Sequence, residues 1–277
     1  MPLIAMTREM GSLGRDVASA IAERQGRPVV YHEIIAPVAN KMRLRKSHVE
    51  RFLEGRSGLW ERLTTDRTSL SIFTADETFR LLREGGASVI RGWGAVHLLK
   101  DVPHVVRVRI VAPVELRIRR MMERLGTDNR QAVAAEIELA EEAHTAITRR
   151  HFGVNWRDPE HYDAVLSTER LSVEECVEEI EGLMARPAFR ETPESLRTVE
   201  DLALAWSVRS ALRRDERTAD LAVDVRSDGG RVTLAGLAHD GREAGAAEEV
   251  ARGVAGVASV DNRLKPAAGS LRFRREA

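Results

Sequence analysis

The chain has 277 residues, its 43 Lys and Arg balance 43 Asp and Glu, and 43% of its residues are hydrophobic and 4% aromatic. This composition indicates a globular protein of one large or two modest domains; it excludes a disordered chain, and the zero net charge and few aromatic rings argue against nucleic acid as a partner. One cysteine, Cys176, excludes an intrachain disulfide framework and a cysteine-based zinc site. The absence of a basic leader and of an apolar run near the length of a membrane span, about 18 residues, predicts a cytoplasmic protein without a transmembrane segment.

Short apolar runs alternate with amphipathic stretches up to about residue 185. Strands are predicted at residues 3–6, 28–31, 88–90, 105–110 and 163–166, with helices between them and a last helix from about Val173 to Met184. Strands that alternate with helices of about 10 to 15 residues are typical of a parallel sheet covered on both faces. Residues 1–185 are therefore predicted to form an α/β domain.

A different pattern begins after residues 186–198, where Pro187 and Pro193 interrupt any apolar periodicity and predict a linker. Apolar residues at helical spacing are followed by two runs that alternate around Asp228-Gly229-Gly230, which is a strong signal for a β-hairpin. A second amphipathic stretch and a final strand complete the order helix, strand, strand, helix, strand. The sequence thus predicts a small α+β domain over residues 199–267, followed by a tail over 268–277.

The first predicted strand runs into a glycine-bearing loop, Gly11-Ser12-Leu13-Gly14-Arg15-Asp16, at the start of a helix. Loop amides and a helix N-terminus together present hydrogen-bond donors and partial positive charge to a phosphate. The full P-loop motif has Gly, Lys and then Ser or Thr where this chain has Glu9, Arg15 and Asp16. Arginine can neutralise a phosphate oxygen, and a carboxylate is a competent Mg²⁺ ligand. The spacing is equally typical of a tight strand-to-helix turn built on Gly11 and Gly14, so the motif alone leaves both interpretations open.

A group of arginines lies farther along the chain. Arg117, Arg120 and Arg124 share one face of a predicted helix, and a second predicted helix ends in Arg149-Arg150. Basic helix faces of this kind fit a phosphoryl-transfer enzyme, in which they neutralise developing charge. They also fit an ordinary solvated surface with neighbouring glutamates.

Several stretches match the pattern of a known family. They are Thr7–Asp16, Tyr31–Ile35, Val89–Ala95, Ile110–Pro113 and, as the most specific, Phe152–Pro159 together with Tyr162–Glu175. On these residues the chain from 3 to about 184 resembles the cytidylate kinase-like family, a branch of the P-loop nucleoside monophosphate kinases. The predicted helix at 204–215 and the stretches 232–236 and 254–264 resemble a BON domain, a small module associated with membranes, phospholipids or other proteins.

The resemblance implies a P-loop kinase-like parallel sheet with helices on both faces and a small αββαβ BON domain. It implies transfer of the ATP γ-phosphoryl group to CMP or dCMP, with Mg²⁺ as the metal. The phosphate loop would comprise Gly11, Ser12, Leu13, Gly14, Arg15 and Asp16. Asp16 would also be a ligand of the metal ion. Arg15, Arg117 and Arg120 would act in catalysis, and Arg91, Trp93, Arg149 and Arg150 would lie on the acceptor side.

The chain also departs from the family pattern on the acceptor side. Trp93 stands where the family commonly has arginine between two glycines, His32 stands where related sequences often have aspartate, and Ala143-His144 occupy a region where an Asp/Arg pair is expected. Loss of a bidentate arginine clamp weakens the binding of a phosphate group. Two functions therefore remain open: an active kinase, or a nucleotide-binding regulator with weak or no turnover whose BON domain binds a protein or lipid partner.

Overall fold

A computed structural model of the chain describes residues 2–30, 33–53, 66–84, 88–92 and 94–267. The chain folds into two compact units. The first comprises Met1–Thr65 and Glu84–Ser195, and the second comprises Asp66–Arg83 and Leu196–Ala277. The chain therefore passes from the first unit to the second at Asp66, returns to the first at Glu84 and enters the second again at Leu196.

The first unit is built on a parallel sheet, as the sequence predicts. Its strands are β1 (Leu3–Arg8), β2 (Val29–Val30), β3 (Val89–Arg91), β4 (Val105–Val111) and β5 (Ala164–Ser167), in the spatial order β2-β3-β1-β4-β5. Every described strand pair in this sheet is parallel. The carboxyl ends of β1, β3 and β4 consequently meet at one edge of the sheet, where parallel α/β folds commonly bind their ligands.

Helices connect these strands. They are α1 (Gly14–Gln25), α2 (Ile35–Met42), α3 (Lys46–Leu53), α5 (Ala95–Leu98), α6 (Val114–Leu125), α7 (Arg130–Phe152) and α8 (Val173–Met184). One face of the sheet presents alternate strand residues such as Met6 and Val108 to α1 and α8, and these form a core with Val17, Cys176 and Ile180. Alternation of buried side chains at every second strand residue places the intervening residues on the opposite face.

The second unit contains a three-stranded sheet with helices. Its elements are α4 (Arg67–Arg83), α9 (Pro193–Arg214), β6 (Val223–Asp228), β7 (Arg231–Ala238), α10 (Gly241–Arg252) and β8 (Ser259–Pro266). β6 and β7 form the predicted antiparallel hairpin, closed by Gly229 and Gly230 at positive φ, and β8 pairs parallel to β7. The predicted αββαβ order is confirmed, and the core consists of buried residues of α9, the strands and α10.

Helix α4 is an addition that the sequence analysis does not predict. Three contacts show that it runs antiparallel to α9. Ser69 near its start accepts a hydrogen bond from Arg213 (2.7 Å), and Asp76 in its middle accepts one from Ser207 (2.9 Å). Arg83 at its end pairs with Glu200 (2.9 Å). The predicted linker over residues 186–198 is also structured. It contains a 3₁₀ turn at Pro187–Phe189 and the first turn of α9, which Pro193 opens and where Ser195 exchanges hydrogen bonds with Thr192.

The described residues include no helix that is both long and apolar enough to cross a lipid bilayer.

Candidate functional site

The loop between β1 and α1 forms a compact turn, and the N-terminus of α1 that follows it has no side-chain cap. Ser12 folds back on Glu9, to whose carbonyl oxygen it donates from both its amide (3.2 Å) and its hydroxyl (2.8 Å). Leu13 is the N-cap residue of α1 and supplies no side-chain hydrogen bond. The amides of Gly14 and Arg15 lie in the first turn of α1, so the helix itself offers them no carbonyl partner. Donors and the positive end of the helix dipole are therefore available to an anion at this point.

The two loop glycines are required by close backbone packing. A Cβ atom on Gly11, which has φ +80°, would lie 2.7 Å from the carbonyl oxygen of Arg117 in α6. A Cβ atom on Gly14 would lie 2.7 Å from Cβ of Arg8 and 3.1 Å from Cβ of Ile110. The glycines thus let the loop approach both α6 and the ends of β1 and β4. The interpretation as a tight turn and the interpretation as a phosphate cradle are compatible, since the same packing shapes the loop.

A cleft of about 700 Å³ opens in front of this loop. Arginine side chains from the end of β1, the start of α1 and the second half of α6 contribute to its lining, together with two acidic residues. These charged residues are Arg8, Arg15, Asp16, Arg120, Glu123 and Arg124. Four positive charges against two negative ones give the cleft a cationic lining. Of the predicted phosphate-loop residues, Gly11, Leu13, Gly14, Arg15 and Asp16 line it, whereas Ser12 is fully buried behind it.

Arg120 reaches the cleft from α6 and is anchored at its guanidinium. Its Nη1 donates to the hydroxyl of Thr168 (2.9 Å) and its Nη2 donates to the main-chain oxygen of the same residue (2.8 Å). The Thr168 hydroxyl in turn donates to the carbonyl oxygen of Ser12 (2.9 Å). Burial, followed by the neighbouring charge of Arg119, lowers the pKa of Arg120 below its ordinary value, and Asp16 opposes that shift.

Arg117 has a different environment from the one that its helical spacing predicts. It is 5% exposed and does not line the cleft, because it lies in the first turn of α6 where the loop at Gly11 packs against the helix. Its guanidinium donates to the carbonyl of Ala112 (3.0 Å) and to Glu141 on α7 (2.6 Å), and it lies 3.4 Å from a carboxylate oxygen of Glu9. The arginine that enters the cleft beside Arg120 is instead Arg124.

Of the predicted acceptor-side residues that the structure describes, Arg91, Arg149 and Arg150, none lines the cleft. Arg91 lies at the carboxyl end of β3, next to Met6 of β1, and is half-buried. Arg149 and Arg150 are exposed in the last turn of α7 and are not part of the cleft lining. Trp93 and His32 lie outside the described residues.

The opposite face of the sheet is covered by an aromatic and ionic cluster around the segment from Phe152 to Asp163. Trp156 is 1% exposed, stacks on His144 (ring centroids 4.2 Å apart) and lies under the guanidinium of Arg109 (4.7 Å). Arg109 also donates to Glu9 (2.8 Å) at the base of the loop. Desolvation, and then the charges of nearby basic groups, lower the pKa of His144 to about 3, so at neutral pH this residue carries no charge.

Candidate metal ligands are few. Asp16 is exposed at the cleft, whereas the Ser12 hydroxyl is turned away to the Glu9 carbonyl. Over the described part of the chain, no three His, Cys, Asp or Glu residues are grouped so that they could hold a metal ion. A Mg²⁺ ion that keeps several waters and is bound by one carboxylate and by phosphate oxygens fits this arrangement, whereas a dedicated cage of protein ligands does not.

One solved structure agrees with this architecture. The crystal structure of an uncharacterized protein from Eubacterium ventriosum aligns over 67% of this chain and 100% of its own, at 21% identity and a TM-score of 0.52. Shikimate kinases from Acinetobacter baumannii, in complex with shikimate, and from Bacteroides thetaiotaomicron align with TM-scores of 0.39 and 0.41, at 16% and 12% identity. They cover 66% and 67% of this chain and 93% and 99% of their own. A search of curated proteins finds no significant match.

The sequence profile of the cytidylate kinase-like family matches residues 3–170, and that of the BON domain matches residues 200–267. The first match includes the parallel sheet, the glycine loop and helix α6 with its arginines. The second match includes the three-stranded sheet. The chain belongs to the cytidylate kinase-like family and carries a BON domain after its kinase-like unit.

Proposed function

We propose that the first unit is a phosphotransferase that binds ATP at the Gly11–Asp16 loop and moves its γ-phosphoryl group to a nucleoside monophosphate of the CMP or dCMP class. The observation that carries this proposal is the cationic cleft, in which an uncapped helix N-terminus faces arginines from β1, α1 and α6. Phosphoryl transfer depends on positioning and charge neutralisation more than on a protein nucleophile, so amides and arginines are suitable groups for it.

The residues divide into separate roles. The amides of Gly14 and Arg15 would hold phosphate oxygens, and the Arg15 and Arg120 side chains would neutralise the charge that develops during transfer. Mg²⁺, when bound with the nucleotide, would neutralise phosphate charge, and Asp16 would be its protein ligand. Arg91, Trp93, Arg149 and Arg150 remain the predicted acceptor residues. We further propose a cytoplasmic location and a protein or phospholipid partner for the BON domain.

A second candidate function is a nucleotide-binding regulator with little turnover. It is favoured by two residues. His144, in the acceptor-side region where an Asp/Arg pair is expected, is packed on Trp156 as a neutral ring. Arg117, which was predicted to act in catalysis, is occupied by Glu141 and a carbonyl group. Neither group offers a free positive charge to an acceptor phosphate. In this case the BON domain would provide the output through its partner.

The test is an ADP-release assay with ATP, Mg²⁺ and a panel of nucleoside monophosphates, together with an ATP-binding titration. Arg15→Ala is the test variant, and Arg119→Ala is the control, because Arg119 is exposed on α6 next to Arg120 and does not line the cleft. Turnover with CMP or dCMP that is lost in Arg15→Ala and kept in Arg119→Ala supports the kinase. ATP binding without turnover supports the regulator, and a protein that does not bind ATP contradicts both.

A further inference from the structure

Thr168 links three parts of the first unit that carry the proposed phosphate site. It follows β5 directly and is 2% exposed, and its amide donates to the carbonyl of Val111 at the end of β4 (3.0 Å). Its hydroxyl lies between the guanidinium of Arg120 and the carbonyl of Ser12, at 2.9 Å from each. The strand ends, the arginine of α6 and the loop are therefore joined through a single residue, and its hydroxyl joins the arginine to the loop.

The direction of these hydrogen bonds follows from the chemistry of the groups. A guanidinium only donates and a carbonyl only accepts, whereas a hydroxyl has one proton and two lone pairs. The Thr168 hydroxyl therefore accepts from Arg120 and gives its only proton to a carbonyl group. The Ser12 carbonyl is the nearer acceptor at 2.9 Å, and the Val111 carbonyl lies 3.5 Å away. Because Arg120 also donates to the main-chain oxygen of Thr168 (2.8 Å), two of its donor groups are fixed and the plane of the guanidinium is set.

We propose that Thr168 is a positioning residue that holds Arg120 and the Ser12 carbonyl in the arrangement in which the cleft binds a polyphosphate. The proposal rests on the proposed function of that cleft. Arginine side chains have many rotamers, and ordering one on binding reduces affinity, so an arginine that is fixed beforehand binds phosphate more tightly. The hydroxyl also fixes the loop from behind, on the side away from the bound anion.

A purely structural role for this hydroxyl would have other consequences. Thr168→Val removes the hydroxyl and keeps the shape, and a buried hydrogen bond lost in this way reduces the stability of the fold wherever it lies. Thr148 provides the matched control, since it is fully buried in α7, donates its hydroxyl to the His144 carbonyl (2.9 Å) and is not part of the cleft lining. Thr148→Val should reduce stability without a change in nucleotide affinity.

The experiment measures the Kd of ATP for the full-length protein and for Thr168→Val, Thr168→Ser, Thr148→Val, Arg120→Ala and the double variant Thr168→Val/Arg120→Ala. We expect Thr168→Val to raise the Kd about 10-fold, Thr168→Ser to restore it and Thr148→Val to leave it unchanged. In the Arg120→Ala background, Thr168→Val should raise the Kd by less than 3-fold, because two groups that act through one contact are not additive.

Hydrogen exchange of the free protein provides a second measurement that needs no ligand. The loop amides of Ser12, Asp16 and Val17 are protected by main-chain acceptors within the turn, and Thr168→Val should speed their exchange while Thr148→Val should not. If the wild-type protein does not bind ATP but Thr168→Val still speeds the exchange of the loop amides, the proposed function is wrong and Thr168 nevertheless positions the loop. Unchanged loop exchange, or full additivity with Arg120→Ala, would overturn the proposal.

Discussion

At the scale of single residues, the conformation of the glycine loop depends on backbone packing that a side chain would disrupt. We expect Gly11→Ala to destabilise the protein by about 2–3 kcal/mol, because alanine is strained at φ +80° and its Cβ would lie 2.7 Å from the Arg117 carbonyl. ATP affinity should fall as well, since the loop must move away from α6. Urea unfolding and an ATP titration measure the two effects.

Gly182→Ala is the matched control for this substitution. Gly182 lies within α8, and a Cβ atom there would have no neighbour within 4 Å. Alanine in a helix should stabilise the protein by roughly 0.5–1 kcal/mol and leave ATP affinity unchanged. If both variants destabilise the protein equally, the close approach of Gly11 to the Arg117 carbonyl is not the cause of the destabilisation.

His97 makes the stability of the first unit dependent on pH. It is 7% exposed, and burial, followed by the charges of His161, Lys100 and Arg107, lowers its pKa to about 4. Between pH 6.5 and 4 the unfolded chain therefore binds a proton that the folded chain does not, so this contribution is complete above pH 6.5 and is lost as the pH falls toward 4. The loss is on the order of 3 kcal/mol.

The change to measure is His97→Asn, which removes the titration. Urea unfolding at pH 7, 5.5 and 4.5 should show a smaller loss of stability on acidification than in the wild type. His239→Asn is the control for the replacement of a histidine by asparagine, because that side chain is 81% exposed and lies in the second unit. An unchanged slope in His97→Asn would show that His97 does not contribute to acid sensitivity.

The arginines show how far residue-scale prediction extends. Helical spacing puts Arg120 and Arg124 on one face of α6, and in the structure both line the cleft in front of the glycine loop. Spacing does not distinguish Arg117, because its burial depends on Gly11 and Glu141, which come from distant parts of the chain. The cleft residue Arg8 belongs to the matched Thr7–Asp16 stretch, but only the position where β1 ends shows that it lines the site.

At the scale of elements, polar contacts join α4 to α9. Arg213 donates to Ser69 (2.7 Å), Asp66 and the carbonyl of Ala219, and its side chain is 19% exposed. Although burial opposes the shift, hydrogen bonds from Ser69 and Arg213 hold the pKa of Asp66 below its ordinary value. Arg213 therefore fixes the start of α4 to the end of α9.

We expect Arg213→Met to destabilise the second unit by about 1–2 kcal/mol and to raise the pKa of Asp66. The buried Ser69 hydroxyl loses a charged donor, whereas water replaces the donor at Asp66, which is 46% exposed. The stability that Asp66 contributes is present above its unfolded pKa and is lost as the pH falls through the folded value. Urea unfolding and NMR titration of the Asp66 carboxyl measure both changes. Arg214→Met on the exposed side of the same helix should change neither; an equal loss in both variants would contradict the role of Arg213.

Strands and most helices are predictable because apolar periodicity reports one buried face. β1, β4 and the hairpin around Gly229 follow from local patterns alone. Helix α4 does not, because its buried residues include polar and apolar side chains around much of its surface, among them Thr74, Glu77 and Phe79. An element with no clear apolar stripe gives no periodic signal.

At the scale of the whole molecule, the compact units do not follow the order of the sequence. α4 lies in the chain between β2 and β3 of the first unit, yet it folds with the second unit, whose other residues begin at Leu196. A family boundary drawn along the sequence cannot represent this arrangement, because contacts between residues more than a hundred positions apart create it. If the units are also energetic units, α4 should lose its structure together with the strands near the carboxyl terminus.

Leu234→Ala tests this arrangement. Leu234 is fully buried in the core of the second unit, and its truncation should destabilise that unit by about 2–5 kcal/mol. Native-state hydrogen exchange should then show equal losses of protection in β7 and in α4, for example at Phe73 and Phe79, while the amides of β1 and β4 keep theirs. Protection in α4 that instead stays with β1 and β4 would mean that α4 is stabilised by the first unit, and that the contacts with Ser207 and Arg213 do not determine when it unfolds.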